Sequence, residues 1–415
     1  MERTTLTYRY ERLRAIAAGV LETAGTSFLL LIAVKWFEFG ATAKALIAMG
    51  GSLGLLAGPL IVSLVENRRW HTSHAAAVLA GLGSVCYLVM ALAQNATAFV
   101  IGAMLVAALS AGAIPLATQI YQENYPKAQR GQLFSRTAMI RIASVAVFSY
   151  LAGSALNANA QGMLEIFPQW LIFIFAGAFA FAAFCFSQCP SRPLQASGGT
   201  HPFRSLRFVR EDKLFRFTLA CWMGFGIANL MMFPLRVDYL ARDGGFDGYG
   251  LNFTPERVAL ITVTIPSLVR LVLSPFWGRL FDRMNFFDLR VILNLCFGVA
   301  TVAFFATGSL TGIVIGAIFF GIATSGGEVA WSLWVTKFAP ADRVADYMSV
   351  HTFFTGVRGC VAPFIGFYLI EIFRIHHLAW VSFSLMAVAS LVLLTQRNSR
   401  PEERHGEALT EDVTE

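Results

Sequence analysis

The sequence is short of charge. Only 14% of its 415 residues are Asp, Glu, Lys or Arg, and 56% are hydrophobic. Soluble domains carry roughly 25% charged and roughly 45–50% apolar residues. A soluble enzyme with polar helix faces is excluded on that ground. Cysteine is scarce and scattered, at Cys86, Cys185, Cys189, Cys221, Cys296 and Cys360, with no CxxC pair. No histidine cluster stands near Cys185 and Cys189, so the six read as small packing residues rather than a disulfide frame or a zinc site. A Walker phosphate loop, a G-x-G-x-x-G turn after a strand, an HExxH helix and a nucleophile elbow are all missing. No ATP drive, cofactor, metal or catalytic constellation is therefore expected. A cleavable signal peptide is not expected either. The apolar run after Arg14 reaches about Phe37, contains Glu22 and ends without a small-residue cleavage site.

What is present is a series of long apolar runs. A bilayer core is ~30 Å thick and takes ~20 apolar residues to cross as helix. Twelve runs qualify, at about 13–37, 43–65, 75–94, 97–122, 133–156, 168–188, 215–240, 256–278, 290–308, 311–336, 347–372 and 376–396. They are too long, and too uniformly apolar, for the ~10-residue alternating strands of a membrane barrel. The expected fold is an all-α membrane protein with twelve transmembrane helices in two six-helix repeats. Its parts are a first half (1–188), a linker rich in Pro, Gly and Arg (189–214), a second half (215–396) and a polar, disordered tail (397–415).

The net charge of +7 comes from residues in short loops, not from one basic face, so no nucleic-acid partner is expected. With both termini in the cytoplasm, 23 of the 32 Lys and Arg residues fall on the cytoplasmic side and 6 on the other. Such a bias fixes orientation and places the chain in the inner (cytoplasmic) membrane.

After the eighth run the chain reads Gly278-Arg279-Leu280-Phe281-Asp282-Arg283-Met284-Asn285. This resembles the loop signature G-x-L-x-D-R-x-G-R of the major facilitator superfamily, with Asn285 in place of glycine. The matching first-half loop keeps Glu66, Arg68 and Arg69 but has lost the glycine. The resemblance implies secondary transport by alternating access, monomeric function, and a cytoplasmic latch built from Gly278, Asp282, Arg283, Glu66 and Arg68. In this reading Gly278 permits close helix packing, and Asp282 accepts from a facing helix N-terminus. Helix 4 lacks the family's arginine, and helix 5 lacks the Gly-Pro motif of drug/proton antiporters. Helix 11 carries Gly356, Gly359, Pro363 and Gly366, a packing and kink element.

Ionisable groups inside a membrane helix cost ~2.5–3.5 kcal/mol each on insertion scales and face a cavity or a partner. Five stand at one depth: Glu22, Arg141, Arg270, Glu328 and Arg358. Arg141 and Arg358 lie on corresponding helices, where two forks suit an anionic solute. Glu328 and Glu22 are the candidate proton carriers, with structural ion pairs as the alternative. Gln119, Asn229 and Trp331 are further candidate substrate contacts; Trp331 shares a helix face with Glu328. Glu123 is expected to pair with Arg130 or Arg136. Arg236 and Asp238 are candidates for a gate, and His351 reads as a hydrogen-bonded structural residue. The expected function is transport of a small organic solute, preferably anionic, coupled to protons. A proton-driven effluxer of amphipathic compounds and a non-transporting sensor or lipid-handling protein are the competing readings.

Overall fold

The computed structural model describes residues 3–162, 168–193, 204–244, 249–337, 339 and 344–397. Twelve of its helices are long and apolar enough to cross a membrane. They are α1 (Arg3–Lys35), α2 (Ala41–Asn67), α3 (Thr72–Ala93), α4 (Ala96–Asn124), α5 (Gly131–Ala158) and α6 (Gln169–Ser187) in the first half. The second half holds α7 (Lys213–Ala241), α8 (Pro255–Phe281), α9 (Phe286–Ala306), α10 (Leu310–Trp331), α11 (Tyr347–Leu369) and α12 (Ile375–Leu394). Several boundaries are set by side-chain caps that satisfy orphan N–H groups. Asn95 accepts from Ala98 N–H, Asp212 from Phe215, Thr254 from Arg257 and Ser309 from Gly312.

Large apolar side chains stand on the outer faces: Leu92 is 70% exposed, and Val272 and Ile372 are 74% exposed. A soluble surface does not carry so many, whereas lipid accommodates them without cost. The chain is a multi-pass membrane protein.

Each odd-numbered helix runs away from the end of the bundle that holds Arg3 and Arg397, and each even-numbered helix runs back towards it. We call these the near and far ends. The halves meet along α2 with α11, α5 with α8, and α1 with the far part of α7. Close approach of α2 and α11 depends on glycine. A Cβ on Gly359 would stand 2.0 Å from Ser52 Oγ, and one on Gly356 would stand 2.7 Å from Leu56. Towards the far end one apolar core is shared by both halves, including Leu31, Leu171, Leu235, Val258 and Phe367. Towards the near end the second half has its own aromatic core around Trp222, Trp277, Phe286 and Trp334.

Two helices are interrupted by a π-helical turn, Ala24–Phe28 in α1 and Leu260–Thr264 in α8. These turns touch: Ser27 Oγ and Thr262 Oγ1 are 3.1 Å apart, and Thr264 Oγ1 reaches Ser149 Oγ on α5 at 2.7 Å. The expected linker is described only at its ends. Ser191 and Pro193 lie against His71 and Ser73, and Tyr347 donates to Asp212 at 3.1 Å. The segment 194–203 and the tail beyond 397 lie outside the described residues.

Candidate functional site

Two of the five intramembrane charges sit beside the π-helical turns. Glu22 lies two residues before the turn in α1, and Arg270 follows the turn in α8 by about two helical turns. Both lie on its near side. Arg141 of α5 and Glu328 of α10 complete a closed ring of four charges. Arg141 Nη1 donates to Glu22 Oε2, and Arg141 Nη2 donates to Glu328 Oε1 at 2.7 Å. Arg270 Nη1 donates to Glu22 Oε1 at 2.8 Å, and its Nη2 donates to Glu328 Oε2 at 3.0 Å. Each carboxylate thus bridges two guanidinium groups, and each guanidinium bridges two carboxylates. The ring is neutral in sum. Planar forks suit this geometry, because each presents two parallel N–H groups at a fixed spacing.

Two sides of the ring join helices of one half, Arg141 with Glu22 and Arg270 with Glu328. The other two, Arg141 with Glu328 and Arg270 with Glu22, cross between halves. Side-chain exposure is 18% at Glu22 and 44% at Glu328. The ring therefore faces open space on its Glu328 side.

All hydrogen bonds and ion pairs that cross between halves among the described residues lie at the ring or on its far side. Lys44 Nζ on α2 donates to Asp238 Oδ1 on α7 at 2.7 Å, with both side chains buried. Tyr249 donates to the other Asp238 oxygen at 3.0 Å. Burial and the Asp238 carboxylate push the Tyr249 phenol well above its ordinary pKa. Thr42 meets Tyr368, Lys35 donates to Asn252, and Ser154 and Asn157 donate to Glu256. The far end is closed by these contacts. Among the described residues, no such bond between the halves lies on the near side of the ring.

At the near end, Gly278 departs from expectation. The space a Cβ on Gly278 would fill has nothing within 4 Å, so this glycine does not serve close helix packing here. Arg283 and Arg68 are exposed, and Arg68 stacks on Trp70. Glu66 is half-buried at the end of α2, and the side chain of Asp282 lies outside the described residues.

Arg358 does not join Arg141. It is 9% exposed inside the second half, where its Nη1 donates to the Trp222 carbonyl at 2.7 Å. Asn229 turns away from the ring as well. With Arg236, Thr301 and Phe320 it lines a small pocket among α7, α9 and α10. Gln119 donates to Glu123 at 3.0 Å, and Glu123 also accepts from the Arg192 backbone N–H at 3.0 Å. The expected partner Arg136 makes no ion pair with Glu123, and the Arg130 side chain lies outside the described residues. Trp331 packs beside His351, with ring centres 5.6 Å apart. His351 is fully buried, yet neither ring nitrogen has a hydrogen-bond partner, contrary to the expectation of a bonded structural histidine.

Arg290 corrects the sequence reading in another way. The ninth span was expected to start at this residue, but α9 begins at Phe286 and carries it one turn inward, where it is 4% exposed. Its guanidinium stacks 3.9 Å from the Trp222 ring centre and 4.5 Å from that of Phe225. The signal was available in the sequence: Asn285 is a helix cap, accepting from Phe287 N–H at 2.8 Å. Glu11 and Arg14 form another charged cluster, with the Glu11 carboxylate buried. Arg14 pairs with Glu11 at 2.5 Å, and Tyr121 donates to Glu11 at 2.5 Å.

Residues 237–413 match the model of the Major Facilitator Superfamily. No curated protein matches the chain in sequence. Solved structures match it in fold. A nucleoside transporter, NupG, superposes with a TM-score of 0.72 at 11% identity, covering 94% of this chain and 99% of that one. A POT family transporter bound to a thioalcohol-conjugated peptide gives 0.71 at 12% identity, covering 94% and 95%. The inward-open xylose transporter XylE from E. coli gives 0.65 at 13% identity, covering 93% and 95%. In sequence across much of its second half, and in fold throughout, the chain resembles the Major Facilitator Superfamily.

Proposed function

We propose that this protein is a secondary transporter working by alternating access, and that the ring of Glu22, Arg141, Glu328 and Arg270 couples solute movement to protons. The observation that carries the proposal is the closed circuit itself. Its two cross-half sides tie the halves together at mid-depth while the far end is shut. With the termini in the cytoplasm, as the loop charges favour, this is the inward-open state.

The mechanism follows from charge balance. A proton arriving on Glu22 or Glu328 cancels one negative charge and weakens two charge-assisted hydrogen bonds at once. The guanidinium forks of Arg141 and Arg270 are then left with an excess of donors. An anionic solute supplies the missing acceptors, since a carboxylate fits the same forks. One proton and one anion together leave the site neutral, so a buried cavity accepts the pair at far lower electrostatic cost than either alone. With the cross-half sides loosened, the halves rock about the ring, the far end opens and the near end closes. Loop residues Arg68, Arg283 and Asp282 meet the opposite half only then, as the latch. A small organic acid is the substrate class this arrangement suits. The protein acts as a monomer in the inner membrane.

The test begins with purified protein in detergent. Thermal stabilisation is screened with carboxylates, sugars, amino acids, nucleosides and lipophilic cations at pH 5.5 and 7.5, because a bound ligand raises apparent stability by mass action. The best compound is then taken into liposomes with an imposed pH gradient. Uptake of an anion that follows the gradient in wild type, and exchanges without following it in Glu22→Gln, supports the reading. Stabilisation by neutral or cationic compounds alone, with gradient-independent transport, overturns the coupling role.

A further inference from the structure

The second half contains a cationic cluster separate from the ring. Arg290 of α9 and Arg358 of α11 both meet Trp222: one stacks on its indole, and the other donates to its carbonyl. His351, about two turns from Arg358 on α11, completes the cluster. Its ring lies 5.2 Å from that of Trp222, 5.1 Å from Trp334 and 5.6 Å from Trp331. All three basic residues are more than nine-tenths buried. Neither arginine pairs with a carboxylate. Both nitrogens of His351 and the Nε of Arg358 lack a hydrogen-bond partner. The backbone makes room for this arrangement at Gly226, where a Cβ would stand 2.1 Å from Arg358 Nη1.

Two unpaired guanidinium groups in an apolar interior are costly. Stacking on aromatic faces offsets part of that cost at Arg290. The Nε of Arg358 stays without an acceptor. The cluster is thus rich in donors, poor in acceptors and positive in sum, the opposite of the balanced ring. We propose that the Arg290–Arg358–His351 cluster is an anion site, occupied by one compact monovalent anion that bridges the two guanidiniums. The ligand chemistry is that of a halide or a single carboxylate, accepting from Arg358 Nε, a His351 N–H and Arg290. Such a site goes beyond the transport reading, because it binds whether or not the ring carries protons. Its effect is to hold α7, α9 and α11 together as one body.

Three tryptophans around the cluster give a direct readout. The full-length protein is purified in detergent with gluconate, a bulkier carboxylate, as the reference anion. It is then titrated with chloride, and separately with acetate, at constant ionic strength, following tryptophan emission and melting temperature together. The expected result is a saturable emission change and a rise in melting temperature. Chloride and acetate saturate separately, and their order of affinity says whether the seat takes the free halide or the carboxylate. In Arg290→Gln and Arg358→Gln the apparent affinity falls about tenfold or more, because a charged donor is lost. No saturable response to either anion in wild type overturns the site, and that arm does not depend on any variant folding. A response undiminished in Arg290→Gln and in Arg358→Gln places the anion elsewhere and overturns it equally. A failed anion response with intact gradient-driven transport removes the anion site and spares the ring.

Discussion

Glu22 accepts from Arg141 on one oxygen and from Arg270 on the other, so replacing it with glutamine removes a charge from two pairs at once. We expect Glu22→Gln to lower stability by about 1–3 kcal/mol, the range for losing hydrogen bonds to a charged group. Glu328 makes the same pattern of bonds but is 44% exposed, against 18% for Glu22. Water shares its charge, and Glu328→Gln should cost less. Chemical denaturation in detergent gives both values, and equal losses would contradict the exposure argument. Asp238→Asn leaves Lys44 buried beside a weaker acceptor. A loss of about 3–5 kcal/mol is expected when one partner of a buried pair goes, with partial recovery in the Lys44→Met and Asp238→Asn double variant measured as a cycle. Cys189 is 4% exposed, and burial pushes its thiol up to about 12. Thiolate is the reactive form, so maleimide at pH 7.5 should leave Cys189 unmodified in the folded protein and label it after denaturation. The ring charges were legible in the sequence because a charge amid apolar residues is expensive in lipid. Their partners were not. Depth can be counted along a helix, but which neighbour a side chain meets depends on how each helix is rotated in the bundle. Arg358 shows the limit: its depth matched that of Arg141, yet it faces the Trp222 carbonyl inside its own half.

At the level of the element, the twelve spans were readable; most ends moved by only a few residues, but the first helix starts at Arg3, ten residues before the expected 13. The shift mattered at α9, where starting at Phe286 instead of 290 moved one arginine from the start of the span to the interior. The π-helical turns had no sequence signal, because a π turn requires no special residue type. They exist where tertiary contacts reward an extra residue per turn, and they recur at functional sites. Here the Ser27–Thr262 contact joins them across the halves, just beyond the Glu22–Arg270 side of the ring. Thr262→Val removes that bond while keeping the shape. Faster amide exchange across 258–266 is the expected outcome, measured by mass spectrometry, with no change near Trp222. The glycines of α11 were legible as a packing element, and the structure supplies the reason: Gly359 and Gly356 let α11 approach α2. Gly356→Leu should therefore weaken closure of the far end and raise labelling of a cysteine placed at Thr42.

Across the whole molecule, the closed far end and the ring form one mechanical statement. Among the described residues, bonds between halves crowd the far end and stop at mid-depth. Of the expected latch residues, Arg68 and Arg283 are exposed at the near end, in opposite halves. Sequence revealed the two-half plan through its loop charges and the Gly278 loop. It gave no access to which end was shut, since a transporter must visit both states and its residues serve each in turn. The decisive measurement is a pair of spin labels at positions 68 and 283, with their separation recorded by pulsed electron resonance between pH 8 and pH 5. If the ring is the proton-sensitive tie, acidification shifts the population towards the shorter separation as the near end closes. Glu22→Gln with Glu328→Gln should reproduce that shift at pH 8. A separation that stays the same under acid and in the double variant would mean that the ring is a static brace and that coupling resides elsewhere.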